Sequence, residues 1–458
     1  MATGPWFVIS PNTVLSLLGL LHGPDPTRPT PAEDWRDAVV DVVIPALDEE
    51  ESIALCLASV ARQTLRPRRI VLIDDGSRDR TLEVAKAFCE ANDLELLAIH
   101  RARPIGKTPT LKRQARELDG DVEFILDADT VLESDNYIER AVQELYQAKG
   151  VACVCGTVLP LRAEDRRRLL EEPSVEAFRE RFADAPREPN PGFWHRLDRA
   201  ITNVYRSVLY RFLQLFVYRG EMAFFGTIAN PVGCAVAYRR DLVKELFDHY
   251  EPELGDDLTN SEDIFIGFAL LDAGYRNVHL RDVVARSREP ESHRLPRQLY
   301  LWSSSFLQSC YYFDDLLRSP FKAVARWRHR RRNEKIHREQ RKIQEPYRQP
   351  FGREHTRRFG RPVGWVLLLS AIEKVGFPTA LVILIVLQLW EPLAVTLIAE
   401  TLLSLSILTW VAKGQRLEYL GKGLLVTPIR YFSLVYDLVT MGRFVGDLWI
   451  RGDRRWRK

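Results

Sequence analysis

The chain is poor in cysteine, with six among 458 residues. Only Cys153 and Cys155 are close in sequence, and their i, i+2 spacing fits alternation along a strand better than the paired knuckles of a zinc site. Neither a disulfide-stapled scaffold nor a structural zinc site is therefore expected. The scattered cysteines instead predict reduced, mostly buried thiols in a cytosolic environment.

The chain also lacks an excess of charge, since 65 basic and 62 acidic residues leave a formal net charge of +3. This balance gives no general attraction for nucleic acid, and no nucleic-acid partner is expected. A glycine-rich phosphate loop is absent after every predicted strand, which counts against dehydrogenases and ATPases. The apolar stretch Trp6–Leu21 lacks the basic leader and the cleavage site of a signal peptide.

Apolar strands alternate with amphipathic helices between residues 38 and 158. The alternation predicts an α/β fold with a mostly parallel, Rossmann-like sheet, in a domain that spans residues 38–320. Ligands of such sheets bind beyond the carboxyl ends of the strands. Acids stand at three of these ends, at Asp48-Glu49, Asp74-Asp75 and Asp127-Ala128-Asp129. Together they predict one shared polar cleft rather than three unrelated turns.

Asp127 and Asp129 follow the apolar strand Phe124–Leu126. Positions i and i+2 of a strand face the same way, so both carboxylates can reach a common point. Two such carboxylates repel each other unless a cation lies between them, and Mg²⁺ or Mn²⁺ prefers oxygen ligands of this kind. The alternative is a solvated strand end, where aspartates are common.

A second acidic motif, Ser261-Glu262-Asp263, begins a predicted helix that runs to Ala273. The acids suit the positive end of a helix that Ser261 or Asn260 could cap, so a purely structural role is one interpretation. In the other, Asp263 is a general base at the cleft, with Glu262 beside it as a second candidate catalytic acid.

The segments before and after this domain differ from it in composition. Residues 1–37 are expected to form an interfacial or packing helix, with a transmembrane helix as the alternative, and a proline-rich linker. Residues 321–362 are dense in Arg and Lys and are predicted to face anionic lipid at the cytoplasmic surface, unless they form a solvated linker.

Residues 363–458 are predicted to be a membrane hairpin with interfacial helices. Val363–Ile372 is expected to be a lead-in, Val375–Trp390 a short span and Pro392–Ala412 a full-length span. Gly423–Ile450 carries charges and precedes a basic tail, which favours an interfacial or re-entrant arrangement. Glu400 is expected to be a buried polar contact or part of a polar path.

The order of these motifs resembles that of the inverting glycosyltransferases of family 2, which have a GT-A nucleotide-sugar domain. Within that family the chain is most similar to the membrane-embedded synthases related to hyaluronan, cellulose and poly-N-acetylglucosamine synthases. The resemblance covers Val40–Trp302 and, more loosely, the C-terminal membrane region.

The resemblance implies roles for individual residues. Contacts to the nucleotide or substrate are implied for Pro45, Glu49, Asp74, Asp75, Lys107, Asp127, Gly233, Cys234, Gln298 and Trp302. A metal, Mg²⁺ or Mn²⁺, is implied at Asp127 and Asp129, and Asp263 matches the catalytic base. In the segment Gln298–Trp302, Leu301 stands where processive members carry an arginine that holds the diphosphate. Arg297 or a residue elsewhere would have to replace that arginine.

The implied activity is metal-dependent, inverting transfer from a nucleotide-sugar, expected to be a UDP-sugar, to a growing β-linked polysaccharide. Transfer of one sugar to a membrane lipid is the alternative, and a non-catalytic membrane protein for sugar binding or assembly is a second one. The expected partners are the nucleotide-sugar donor, a polysaccharide or lipid acceptor and membrane lipid, while partner subunits are left open. The protein is expected to lie at the inner membrane with its catalytic domain in the cytosol.

Overall fold

A mixed sheet of eight strands organises the part of the chain before the apolar helices. The computed structural model describes residues 11–22, 34–148, 150–182, 192–254, 261–337 and 349–452. The strands are β1 Val40–Ala46, β2 Arg69–Asp74, β3 Leu96–His100, β4 Val122–Leu126, β5 Thr130–Leu132, β6 Val151–Pro160, β7 Ala235–Arg239 and β8 Arg276–Ser287. Their order across the sheet is β3-β2-β1-β4-β7-β6-β8-β5.

The parallel half of the sheet places the predicted acidic strand ends on one edge. Strand β1 pairs in parallel with both β2 and β4, so that Val42 is opposite Ile70 on one side and Phe124 on the other. Strand β7 is antiparallel to β4 and begins where β4 ends, with Leu126 opposite Ala235. The turn before β7 therefore meets the acids that follow β4. The predicted α/β class is confirmed, with antiparallel pairs at β4–β7, β6–β7 and β5–β8.

Helices cover the sheet and continue beyond it. They are α1 Pro11–His22, α2 Ile53–Ala61, α3 Thr81–Ala91, α4 Lys107–Glu117, α5 Tyr137–Gln147, α6 Ala163–Leu170, α7 Pro173–Arg181, α8 Phe193–Phe212, α9 Arg219–Phe225, α10 Arg240–Leu254, α11 Glu262–Ala273, α12 Leu295–Tyr312, α13 Asp314–Leu317, α14 Ala323–His337, α15 Arg353–Phe359, α16 Gly364–Val386, α17 Trp390–Val411 and α18 Arg416–Val445. A π-helical segment, Leu213–Tyr218, joins α8 to α9.

The hydrophobic core lies on both faces of the sheet. Strands β1, β2 and β4 are buried almost throughout, as expected for parallel strands that helices cover on both sides. All six cysteines are free thiols; five are buried and Cys234 is half-buried, in agreement with the sequence.

Helix α1 packs against α9, where Gly19 and Gly220 let the two backbones approach closely. Asn12 at its start donates to Ser370 Oγ at 2.7 Å and, through its backbone nitrogen, to Glu373 Oε1 at 2.8 Å, both on α16. The N-terminal helix thus contacts both α9 and the apolar helix α16. The proline-rich linker predicted after it lies outside the described residues.

Helices α16, α17 and α18 are long and apolar enough to cross a membrane, which indicates that the chain is associated with one. The predicted lead-in and short span are one continuous helix, α16, which contains Pro378. Neighbouring helices can satisfy the backbone group that a proline frees, so an apolar helix tolerates it. Of the segment predicted to be interfacial, residues 423–445 belong to α18, a 30-residue helix that packs against α12, α16 and α17, and Gly446–Ile450 form a π-helical segment after it.

Glu400 of α17 makes the predicted buried polar contact with a neighbouring helix. Its carboxylate accepts hydrogen bonds from Arg430 and, at 2.5 Å, from Tyr431, both on α18. A paired acid can be buried between helices at far lower cost than an isolated one.

Candidate active site

A cavity of about 650 Å³ opens at the carboxyl edge of the parallel strands. The lining includes most of the residues that the sequence singled out: Glu49, Lys107, Asp127, Asp129, Gly233, Cys234, Glu262, Asp263, Gln298 and Trp302. These residues come from the ends of β1 and β4, from the turn before β7, and from α4, α11 and α12.

The acidic end of β4 is fixed by backbone hydrogen bonds. The Asp127 nitrogen donates to the Cys234 carbonyl at 2.9 Å, and the Arg288 nitrogen donates to the Asp129 carbonyl at 3.0 Å. Burial, followed by repulsion from Asp127 and Glu49, raises the pKa of Asp129. The fold therefore holds the carboxylate of Asp129 close to those of Asp127 and Glu49, and these groups repel one another when they are charged.

A divalent cation fits this donor set. Carboxylates crowded in a buried position are stabilised by a cation, and Mg²⁺ or Mn²⁺ takes carboxylate oxygens as ligands. No cluster of three or more metal-ligating side chains occurs within the described ranges. A cation held by Asp127 and Asp129 would take its remaining ligands from water or from a substrate's phosphates.

Lys107, the first residue of α4, connects the two acidic motifs. Its Nζ lies 2.7 Å from Asp127 Oδ1 and 2.7 Å from Glu262 Oε1, and it donates to the Gly233 carbonyl at 3.3 Å. Burial by itself would lower the pKa of Lys107, but the two carboxylates outweigh it and hold the pKa well above its usual value. Lys107 is therefore a charged residue at this site.

Asp263 lies at the start of α11, with its carboxylate held by three donors. Ser261 Oγ donates to Oδ1, the Ile264 nitrogen donates to Oδ1 at 2.8 Å, and the Gly233 nitrogen donates to Oδ2 at 3.2 Å. Burial, followed by repulsion from Glu262, raises the pKa of Asp263. A side chain on Gly233 would clash with Asp263, since an added Cβ would lie 2.6 Å from the Asp263 Cβ. Glycine is thus required for the close approach of the turn to the predicted base.

Three predicted nucleotide contacts lie outside the cavity lining. Pro45 is part of β1, and Asp74 accepts from the Ser77 nitrogen at 2.9 Å and pairs with His100 at 2.7 Å. Asp75 accepts from the Gly106 nitrogen at 2.7 Å and from Arg101 at 3.0 Å. Asp75 thereby shapes the loop that leads into Lys107. Its role as a nucleotide contact stays a prediction.

Glu49 does line the cavity, and burial raises its pKa to about 7 although the nearby Arg288 opposes the rise. Gln298 and Trp302 both project from α12 into the same cavity. Arg297 is exposed and does not line it, so the structure gives no support to Arg297 as the substitute for the arginine missing at Leu301.

Sequence inspection missed a group of basic and acidic residues in the cavity, namely Arg199, Arg288, Glu289, Glu291 and Arg294. All but Arg199 follow β8, whose carboxyl end reaches the cavity. The polar run Ser287–Glu291 at the end of a long strand pattern was the available signal. Arg199 comes from α8, and its sequence surroundings give no such signal.

Residues 41–247 match the model of glycosyl transferase family 2. An N-acetylglucosaminyltransferase of Azorhizobium caulinodans is 27% identical over 256 residues, which are 55% of this chain and 55% of the relative. An undecaprenyl-phosphate 4-deoxy-4-formamido-L-arabinose transferase of Pectobacterium carotovorum subsp. carotovorum is 32% identical over 139 residues, or 30% of this chain and 41% of the relative. The chain spans about half the length of the curated relatives it matches.

Among solved structures, a mannosyltransferase from Pyrobaculum calidifontis, in complex with GDP-Man and Mn²⁺, aligns with a TM-score of 0.50. The alignment covers 96% of this chain and 95% of the mannosyltransferase at 16% identity, which establishes likeness of fold alone. The family match over residues 41–247 and the glycosyltransferase relatives support an enzyme rather than a non-catalytic protein. Residues 41–247 therefore match the domain of glycosyl transferase family 2, within a GT-A-like fold that the apolar helices follow.

Proposed function

We propose that the chain transfers a sugar from a nucleotide-sugar, expected to be a UDP-sugar, to an acceptor hydroxyl with inversion of configuration. One observation carries the proposal. The predicted base Asp263 and the acidic end of β4 line the same cavity and are joined through Glu262, Lys107 and Asp127. A single in-line displacement requires that the site for the leaving group and the general base face the same cavity.

In this mechanism Asp263 takes the proton of the acceptor hydroxyl as that oxygen attacks the anomeric carbon. The Gly233 and Ile264 nitrogens, with Ser261, orient the carboxylate for that transfer. Asp127 and Asp129 would hold Mg²⁺ or Mn²⁺, which when bound supplies charge stabilisation to the leaving diphosphate. Lys107 contributes a fixed positive charge beside Asp127.

For the acceptor, we propose a saccharide chain with β linkages. Trp302 lines the cavity and offers an aromatic surface on which a sugar ring can stack. The name of the Azorhizobium caulinodans relative, an N-acetylglucosaminyltransferase, makes N-acetylglucosamine the first sugar to test.

A lipid acceptor is the second candidate. At the start of α8, Phe193 and Trp194 are 64% and 76% exposed, and Arg199 on the same helix lines the cavity. Exposed aromatics of this kind suit a membrane interface, which would bring a lipid-borne acceptor to the cavity. The position of basic residues around the apolar helices supports a cytoplasmic location for the catalytic domain.

Two measurements test these proposals. Asp263→Asn is expected to lower kcat by about 10²- to 10⁴-fold while nucleotide affinity changes little. Asp272→Asn is the matched control, because Asp272 is buried on the same helix but lies outside the cavity. Near-normal turnover in Asp263→Asn would contradict the assignment of the base. Sizing the radiolabelled products formed in membranes from a panel of nucleotide-sugars separates a polymer from a single glycolipid.

A further inference from the structure

Arg206 of α8 is fully buried directly behind the part of the cavity that α12 forms. Its guanidinium carbon lies 4.3 Å from the centre of the Trp302 ring, and its Nη2 donates to Gln298 Oε1. On its other side, Nε is 3.2 Å from Glu289 Oε2. Trp302, Gln298 and Glu289 all line the cavity, whereas Arg206 itself does not.

The position of Arg206 shows which residue supplies the positive charge that is missing at Leu301. The segment Gln298–Trp302 carries Leu301 where a cation is expected, and Arg297 is exposed away from the cavity. The cation beside Gln298 and Trp302 comes instead from a different helix, about ninety positions earlier in the chain. No property of the α12 sequence predicts it.

Burying an arginine is costly unless its charge is compensated. Glu289, 3% exposed, provides that compensation. Burial raises the pKa of Glu289, and the Arg206 guanidinium opposes the rise. Within the described ranges Arg206 Nη1 has no hydrogen-bond partner, so the buried pair is not fully satisfied. Because apolar residues in place of a buried ion pair are often neutral or stabilising, a buried pair beside the cavity favours a role in activity over one in stability.

We propose that Arg206 is a positioning residue for the acceptor, a role that rests on the proposed glycosyl transfer. The guanidinium covers one face of the Trp302 ring, so only the opposite face and the edges can meet a ligand. Its hydrogen bond fixes the amide of Gln298 one helical turn away. Arg206 thereby sets the orientation in which an acceptor presents its hydroxyl to Asp263.

The first test compares transfer with hydrolysis. Membranes that contain the full chain are incubated with radiolabelled UDP-N-acetylglucosamine, and label in product is divided by label released as free sugar. Arg206→Met with Glu289→Gln removes both charges together, so that no unpaired charge is left buried. This double variant is expected to lower the ratio at least about tenfold, since loss of orientation affects transfer more than attack by water. The affinity of the purified protein for UDP is expected to stay within about twofold of the parent.

Two further variants separate positioning from folding. Arg206→Lys keeps the charge but loses the planar fork, and an intermediate ratio is expected. Arg211→Met is the matched control, because Arg211 lies on the same helix and contacts Tyr419 and Gln415 outside the cavity in a similar way. It is expected to leave the ratio unchanged.

Two results would overturn the role of Arg206, and a third would overturn the proposed function as well. A ratio in the double variant equal to that of the parent overturns the role of Arg206. A loss of UDP affinity that parallels the loss of transfer also overturns it, because Arg206 would then act on the donor. If the parent itself neither transfers nor hydrolyses any nucleotide-sugar of the panel, the proposed function fails, and the role of Arg206 fails with it.

Discussion

Lys107 and Asp127 form an ion pair, with 2.7 Å between Nζ and Oδ1, that joins the end of a parallel strand to the start of a helix. The same ammonium lies 2.7 Å from Glu262 Oε1, next to the predicted base. One positive charge therefore connects the predicted leaving-group side of the cavity with its acceptor side. A change at this residue is expected to affect both.

Replacement of Lys107 by Met is the first prediction. Loss of the ammonium leaves the Asp127 and Glu262 carboxylates without their shared cation, so kcat/KM is expected to fall by about 10²- to 10³-fold. Steady-state kinetics with a nucleotide-sugar donor, alongside thermal unfolding of the same sample, measures the effect.

Lys112→Met is the matched control for that prediction. Lys112 lies five positions later on α4, is buried, and pairs with Glu251 at 2.5 Å outside the cavity. Its loss is expected to lower stability and to leave kcat/KM close to that of the parent. Equal kinetic losses in the two variants would mean that Lys107 acts only through the packing of α4.

The metal site supplies the second prediction. Activity is expected to disappear on treatment with EDTA and to return on titration with Mg²⁺ or Mn²⁺. Asp129→Asn should require at least about tenfold more metal for half-maximal activity, because a ligand charge is lost. Asp135→Asn, at an exposed position outside the cavity, is the control. A parent rate that does not change across the metal titration would remove the metal from the mechanism.

The sequence was sufficient for β1, β2 and β4 of the parallel half of the sheet, because each is a buried apolar run with an acid at or just after its end. Asp127 and Asp129 were predicted in this way, and both line the cavity. Asp75 was identified by the same rule, yet its carboxylate is engaged by the loop before Lys107. A strand end indicates which edge of the sheet an acid reaches, but not which neighbour it contacts.

The contribution of α8 could not be predicted from local patterns. Arg206 meets Trp302 because α8 and α12 both pack against α18, an arrangement that depends on contacts far apart in sequence. Likewise, the continuity of α16 through Pro378 depends on neighbouring helices, so the sequence suggested two segments where the structure has one.

Glu221 of α9 gives a prediction about stability and pH. It is buried, accepts from the Ala229 nitrogen at 2.9 Å, and has a pKa raised by burial to about 8. The folded state therefore retains a proton that the unfolded state loses near pH 4.5. Unfolding releases this proton between those values, so the stability contributed by Glu221 falls as pH rises from about 4.5 to about 8.

Glu221→Gln removes that dependence and keeps an acceptor for the Ala229 nitrogen. The variant is expected to match the parent near pH 5 and to be more stable by a few kcal/mol near pH 8, since each unit of pKa shift corresponds to about 1.4 kcal/mol. Thermal unfolding at the two values of pH measures the difference. Glu90→Gln, at an exposed position, should show no such trend. A constant difference between Glu221→Gln and the parent at all pH values would contradict the assignment.

The last prediction concerns the link between the apolar helices and the active site. Lys374 of α16 and Asp437 of α18 are buried, 2.6 Å apart, and both contact Ser303 of α12, at 2.8 and 2.6 Å. Ser303 follows Trp302 directly, so this buried cluster fixes the helix that carries the aromatic surface of the cavity. Lys374→Met leaves Asp437 unpaired and is expected to destabilise the protein by about 3–5 kcal/mol.

Lys374→Met with Asp437→Asn is expected to recover most of that stability, because neither charge is then left alone. If the cluster also sets the position of α12, the double variant will regain its thermal stability but keep a raised KM for the acceptor. Lys422→Met, which breaks the exposed pair with Glu418, should change neither quantity. A double variant with both stability and acceptor KM restored would show that the pair anchors the apolar helices without positioning Trp302.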